Sequence, residues 1–156
     1  MGSEPWGRVD EQGNVYVRTA EGERQVGSWA AGSPDEALAF FQRKFDGLAV
    51  EVELLERRVR KTDAAALPPK EAAQTLERLR HSIIDAAAVG DLASLLGRLD
   101  VLAKVVEERR EEAKAAKSRA VEEARAAKER IVAEAETIAG QDDWRAGGER
   151  LRKLVD

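Results

Sequence analysis

Between Asp91 and Ala139 the chain carries no proline and, apart from Gly97, no glycine, and its apolar positions recur at helical spacing. Nearly fifty residues of Leu, Ala, Val, Glu, Lys and Arg in that pattern predict one helix of roughly 70 Å, at about 1.5 Å per residue. A compact domain of the same chain length has a radius of gyration nearer roughly 15 Å, so the pattern predicts an elongated element. Leu92, Leu95, Leu99, Leu102 and Val106 form a bulky seam along its first part. Arg109 interrupts the seam, and Ala113, Ala116, Ala120, Ala124 and Ala127 take over, with a stutter-like shift of register across 120–124–127. Ile131 and Ile138 bring back larger residues. Each exchange of Leu for Ala gives up about 2 kcal/mol of burial, so 110–130 cannot support a thick core. It packs very closely on another helix or stands in solvent as an arm, helped by pairs such as Glu111 with Lys114.

Two further helices precede this one. Ser33-Pro34-Asp35-Glu36 is an N-terminal signature: a serine cap, proline at the first helical position and glutamate completing the capping box. Leu38, Phe41, Phe45, Leu48, Val52, Leu55 and Val59 then follow at alternating spacings of three and four, an unbroken coiled-coil seam. Thr62 to Pro69 reads as a linker. The second helix starts near Pro69, carries Ala72, Leu76, Leu79 and Ile83, and is broken by Val89-Gly90-Asp91, with Asp91 a cap for the long helix. Beyond Gly140, Asp142 can cap a short last helix with Trp144, Leu151 and Leu154 on one side.

The pattern before Ser33 is different. Trp6–Val9 and Val15–Thr19 read as strands and Arg24–Gly27 as a weaker third, separated by turn chemistry at 10–14 and 20–23. Alternation places Val15 and Val17 on one face and Tyr16 and Arg18 on the other. Three short strands are marginal alone, so Trp6, Tyr16 and Trp29 are expected to pack on a helix or a partner. The expected organisation is a small β meander over 1–32, a helical coiled-coil region over 33–139 and the start of a further helical repeat over 140–156. The fold class is mainly α: long antiparallel helices in a coiled-coil or three-helix bundle with a protruding helix and an N-terminal meander.

Composition narrows the functional classes. Charged residues make up 36% and aromatics 4%, which suits thin helical packing. A net charge of −4 gives no bulk attraction to nucleic acid or acidic membrane. The absence of cysteine excludes disulfides and thiolate metal sites and fits a reducing cytoplasm. No apolar run approaches the roughly 20 residues of a membrane span.

Candidate chemistry is sparse. The single histidine, His81, lies in the second helix without a nucleophile or second histidine, and Ser82 beside it faces elsewhere. Gly147-Gly148 lacks the Lys-Ser of a phosphate loop. Glu107, Glu108, Glu111 and Glu112 interleave with Arg109, Arg110 and Lys114 as a solvated face rather than a metal site. Asp63, in the linker, is a remote candidate for a tip that reaches a partner's metal. The sequence thus assigns no catalytic, cofactor-binding or metal-ligating residue, no cofactor and no small-molecule substrate. Lys114, Lys117 and Arg119 form a stretch free of acids and are the candidate phosphate-backbone contacts. Trp6, Tyr16 and Trp29 are the candidate partner-binding aromatics.

Several segments resemble a family. Trp6-Gly7-Arg8-Val9-Asp10, Val15–Thr19, Gly22-Glu23-Arg24, Ser33–Leu38 and Leu54–Val59 resemble the N-terminal region of actinobacterial proteins carrying the bacterial domain of unknown function 349. Trp144-Arg145 and Glu149–Leu154 resemble the opening of that family's first repeated helical domain. The resemblance implies an N-terminal fragment whose further repeats are missing, and no established catalytic residues. The resulting expectation is a non-enzymatic, cytoplasmic bacterial interaction or scaffold module, presenting a rod and a β head to a protein partner or a second copy. The alternative is a nucleic-acid-associated or transcription/translation regulatory factor using the charged helix over 104–130.

Overall fold

The computed structural model describes residues 3–140 and 152–155. It is mainly helical with a small antiparallel sheet at the N-terminus, in the order β1 (Ser3–Glu4), β2 (Gly7–Val9), β3 (Asn14–Thr19), β4 (Gly22–Ser28), α1 (Pro34–Arg60), α2 (Pro69–Ile84) and α3 (Leu92–Ala139). The chain divides into two compact units, Met1–Arg110 and Glu111–Asp156. The division falls where Arg109 interrupts the leucine seam.

In the first unit, the sheet is a meander ordered β1-β2-β3-β4, every neighbour antiparallel. Asp10 fixes the β2–β3 turn: its Oδ1 accepts from the backbone N–H of Gln12 and Asn14 at 2.9 and 2.8 Å. Val9, Val15 and Val17 are buried on one face, as the alternation predicts. Where three strands are expected, a two-residue strand, β1, is added at the edge. β4 is longer than the expected 24–27. It pairs along its length with β3 through a register shift at Val15/Tyr16, so backbone hydrogen bonds hold a strand whose own pattern is weak.

Ser33 caps α1 in the predicted manner: Glu36 N donates to Ser33 Oγ and Ser33 N donates to Glu36 Oε2, each at 3.2 Å. Leu38, Phe41, Val52, Leu55 and Val59 are buried, and Phe45 and Leu48 pack half-buried against the same core. Ala72, Leu76, Leu79 and Ile83 of α2 meet them, as do Leu92, Leu95, Leu99, Leu102 and Val106 of α3. The link between α2 and α3 is longer than the sequence suggests. It runs from Asp85 to Asp91 and donates from Val89 N to Phe41 O at 3.1 Å. Glycines let these parts meet closely. A Cβ on Gly27 would lie 2.7 Å from Phe41 Cζ, and one on Gly90 would enter the Phe45 ring. Asp91 caps α3 through Ser94 N at 3.0 Å.

In the second unit, α3 continues over Glu111–Ala139 with almost no burial. Only Ile138 is buried, with Ala127 and Ala135 half-buried. Residues 152–155 are helical, and Leu154 is half-buried. Asp142, Trp144, Gly147, Gly148 and Leu151 lie outside the described residues. No helix among those described is long and apolar enough to cross a membrane.

Candidate interaction surfaces

The three aromatics singled out in the sequence do not form one patch. Trp6 sits in the β1–β2 turn, 44% exposed, so of the two expected surroundings, a helix or a partner, it does not take the helix. It falls at the turn, outside the alternation that turns Val9, Val15 and Val17 inward. Tyr16 is on the outer sheet face, with the Arg8 guanidinium 4.2 Å above its ring. Arg8 also grips Glu23 at 2.8 Å, and that hydrogen bond holds the Glu23 carboxyl below its usual range. Asp10, close to Tyr16, is likewise held low, chiefly by the Asn14 side chain. Trp29 alone packs on a helix, its ring 5.2 Å from that of Phe40. Its indole N–H is buried and finds no hydrogen-bond partner among the described residues.

The candidates for chemistry lie apart. His81 is exposed on α2, its Nδ1 2.8 Å from the Glu77 carbonyl, and Ser82 Oγ donates to Arg78 O at 3.1 Å. Asp63 is spent on its own turn, accepting from Ala65 N at 3.0 Å. Among the described residues no cluster of His, Cys, Asp or Glu has the geometry to hold a metal ion. A cleft of about 670 Å³ opens between the β3–β4 turn and the α2–α3 junction. Ile83, Ile84, Leu92 and Leu96 line it together with Glu21, Glu23 and Asp85, and the Thr19 hydroxyl there donates to Gly22 O at 2.7 Å, not to a carboxylate.

The second unit supplies the most open surface. Val121, Ile131 and Val132 are 62%, 40% and 55% exposed on α3. Lys114 and Lys117, three residues apart, share a side of the helix. Arg119 does not: two residues from Lys117, it is turned by about 200° at roughly 100° per residue. There it lies between Glu112, two turns before it, and Glu123, one turn after it. Nearness in sequence therefore grouped three cations that the helix separates.

A signal missed by reading spacings alone is a tandem repeat. Residues 111–121, EEAKAAKSRAV, and 122–132, EEARAAKERIV, agree at 8 of 11 positions. Eleven residues complete three turns with about 20° to spare, so the second copy sets each group almost directly beyond its counterpart. The apparent stutter at 120–124–127 is the join between the copies. Arg125 and Lys128 repeat Lys114 and Lys117, and Val132 repeats Val121. The six residues Lys114, Lys117, Val121, Arg125, Lys128 and Val132 follow at spacings 3-4-4-3-4 and form one row free of acids. Among the described residues the row's cations make one ion pair, Arg125 with Glu129 at 3.4 Å, both about 70% exposed.

The model of one family, the Domain of Unknown Function DUF349, matches residues 94–156. The match begins inside α3, well before Trp144, where the resemblance had set the opening of the repeated domain. It takes in the later turns of the leucine seam and the whole tandem repeat. No curated protein and no solved structure matches the chain significantly.

Proposed function

We propose that the chain, whose residues 94–156 match the DUF349 model, is a member of that family and a non-enzymatic interaction module of the bacterial cytoplasm that presents α3 to a macromolecular partner. In this reading α1, α2 and the leucine part of α3 pack as a coiled-coil bundle that anchors the element. The seam positions of α1, all buried or half-buried, support it. The observation that carries the functional reading is the exposure of α3 over 111–139. This stretch of helix leaves Val121, Ile131 and Val132 in solvent and buries only Ile138. Such a helix stabilises little in its own fold, and exposed apolar residues set among charges suit an interface.

The test is photo-crosslinking in the native cell, with a photoreactive residue replacing Val121 or Val132 and, as the reference, Val101, which is 65% exposed in the first unit. Discrete adducts, of protein or nucleic acid, are expected from positions 121 and 132 and not from 101. No adduct from either position, or the same adducts from all three, overturns the proposal.

A further inference from the structure

We infer that the row Lys114, Lys117, Arg125 and Lys128 is a docking surface for a nucleic-acid duplex, gripped through its phosphodiester backbone without readout of bases. This rests on the reading of α3 as the docking element and names the partner of one face.

Three of the row's four cations are unpaired among the described residues, and the fourth, Arg125, meets Glu129 in an exposed pair of 3.4 Å. Lys114, Lys117 and Lys128 take part in no ion pair among the described residues. Lys117 and Lys128 also have no acid three or four residues away on either side. The other two cations of the repeat, Arg119 and Arg130, stand among Glu112, Glu123 and Glu134 on a mixed-charge side. The row itself thus holds no acid, although Glu111, Glu122 and Glu129 flank it on one side. The repeat also fixes the spacing. Two cation pairs recur about 16.5 Å apart with a drift of only about 20° between copies, so four charges lie in a band roughly 21 Å long and about 80° wide.

A duplex presents one phosphate about every 1.7 Å along its axis, a continuous anionic ridge that such a band can follow. The chemistry favours backbone contact, with guanine edges the one base feature that Lys and Arg could also reach. From Glu111 to Ala139 there is no aromatic residue to stack on a base and no Asn or Gln to pair with a base edge. An anionic membrane fits less well, since the row offers two valines and none of the Leu, Phe or Trp that anchors a helix in the acyl boundary.

The test uses the full chain and a fluorescent mixed-sequence DNA duplex of about 20 base pairs, with anisotropy titrations between about 50 and 200 mM salt. Four phosphate contacts predict that log K falls with log salt at a slope of about −3.6. Lys114→Gln with Lys117→Gln, or Arg125→Gln with Lys128→Gln, should each flatten the slope by about 1.8 and weaken low-salt binding at least about fivefold. Lys114→Arg with Lys117→Arg should keep binding. Arg119→Gln with Arg130→Gln removes the same charge from the other side and should change affinity by less than about twofold.

Absence of binding at low salt overturns the inference. So does an equal loss in the Arg119/Arg130 variant, or displacement of the duplex by phosphatidylserine vesicles. If positions 121 and 132 crosslink to protein while the duplex is not bound, the docking reading stands and the nucleic-acid assignment falls.

Discussion

Residues 92–106 and residues 111–139 belong to one helix and are stabilised differently. In the first stretch Leu92, Leu95, Leu99, Leu102 and Val106 are all buried against α1, α2 and the sheet. In the second, the seam residues are mostly alanines, and all but three positions are exposed. What remains there is intrinsic preference: alanine, glutamate, lysine and arginine are good helix formers, and charges recur three and four apart. The second stretch is also about twice the 12–15 residues at which an isolated helix becomes marginal. A continuous helix therefore says nothing about where tertiary contacts hold it, and the surface released from that duty is the surface free to bind.

The largest effect should come from emptying the first stretch. Leu99→Ala, at a position with no solvent exposure, should cost about 2–5 kcal/mol in chemical denaturation. Val121→Ala, at a position 62% exposed, should lie within about 0.5 kcal/mol of the parent. Equal losses at the two sites would mean that 111–139 has a core of its own.

Overfilling should discriminate next. Gly90→Ala drives a methyl group into the Phe45 ring, and Gly27→Ala places one 2.7 Å from Phe41. Each should cost about 1–3 kcal/mol, read as a lower melting temperature. Ala120→Leu, on the exposed seam of the second stretch, should stay within about 0.5 kcal/mol.

An ion pair gives a smaller, pH-dependent contrast. Arg98 grips Glu56 with two hydrogen bonds, 3.0 and 2.7 Å long, and the Glu56 side chain is only 14% exposed. These bonds hold the Glu56 carboxyl below its usual range. A carboxyl whose folded value is depressed contributes fully above the unfolded value, about 4.3, and loses that contribution as pH falls through the folded one. Arg98→Ala should therefore cost about 1 kcal/mol at neutral pH, with the difference from the parent shrinking in acid below about pH 4. Glu129→Gln breaks the exposed Arg125–Glu129 pair and should cost no more than about 0.5 kcal/mol.

How far the chain could be read depended on how local the determinants were. Ser33 and Glu36, the seam of α1, the proline start of α2 and the full extent of α3 follow from contacts within a few residues, and spacing shows them directly. β4 is long because β3 pairs with it, a relation between residues far apart in sequence that Gly22–Ser28 does not itself display. For Trp6 the size of the side chain leaves a helix and a partner both open as its cover, and only its place in a turn shows that the helix is not the one. The row over 114–132 was legible as an 11-residue duplication. It was obscured by grouping Lys114, Lys117 and Arg119 by nearness in sequence instead of by angle around the helix. The opening of the family's domain at Ser94 has no local marker, since it falls inside an uninterrupted leucine pattern.

The smallest contrast separates two meanings of a helix-forming change. Gly97 is exposed in the first stretch, and a Cβ there would meet nothing within 4 Å. Gly97→Ala therefore adds no clash and removes unfolded-state freedom, a gain of about 0.5–1 kcal/mol. Because that stretch is fastened to the core, the gain should raise the melting temperature of the first unit. Ala115→Gly makes the reverse change at an exposed position of the second stretch and costs about 1 kcal/mol of helix propensity. There it should lower helical ellipticity and speed amide exchange around residue 115 while leaving the melting temperature of the first unit unmoved. If Ala115→Gly instead lowers that melting temperature as much as Gly97→Ala raises it, the two stretches unfold together and the distinction between them fails.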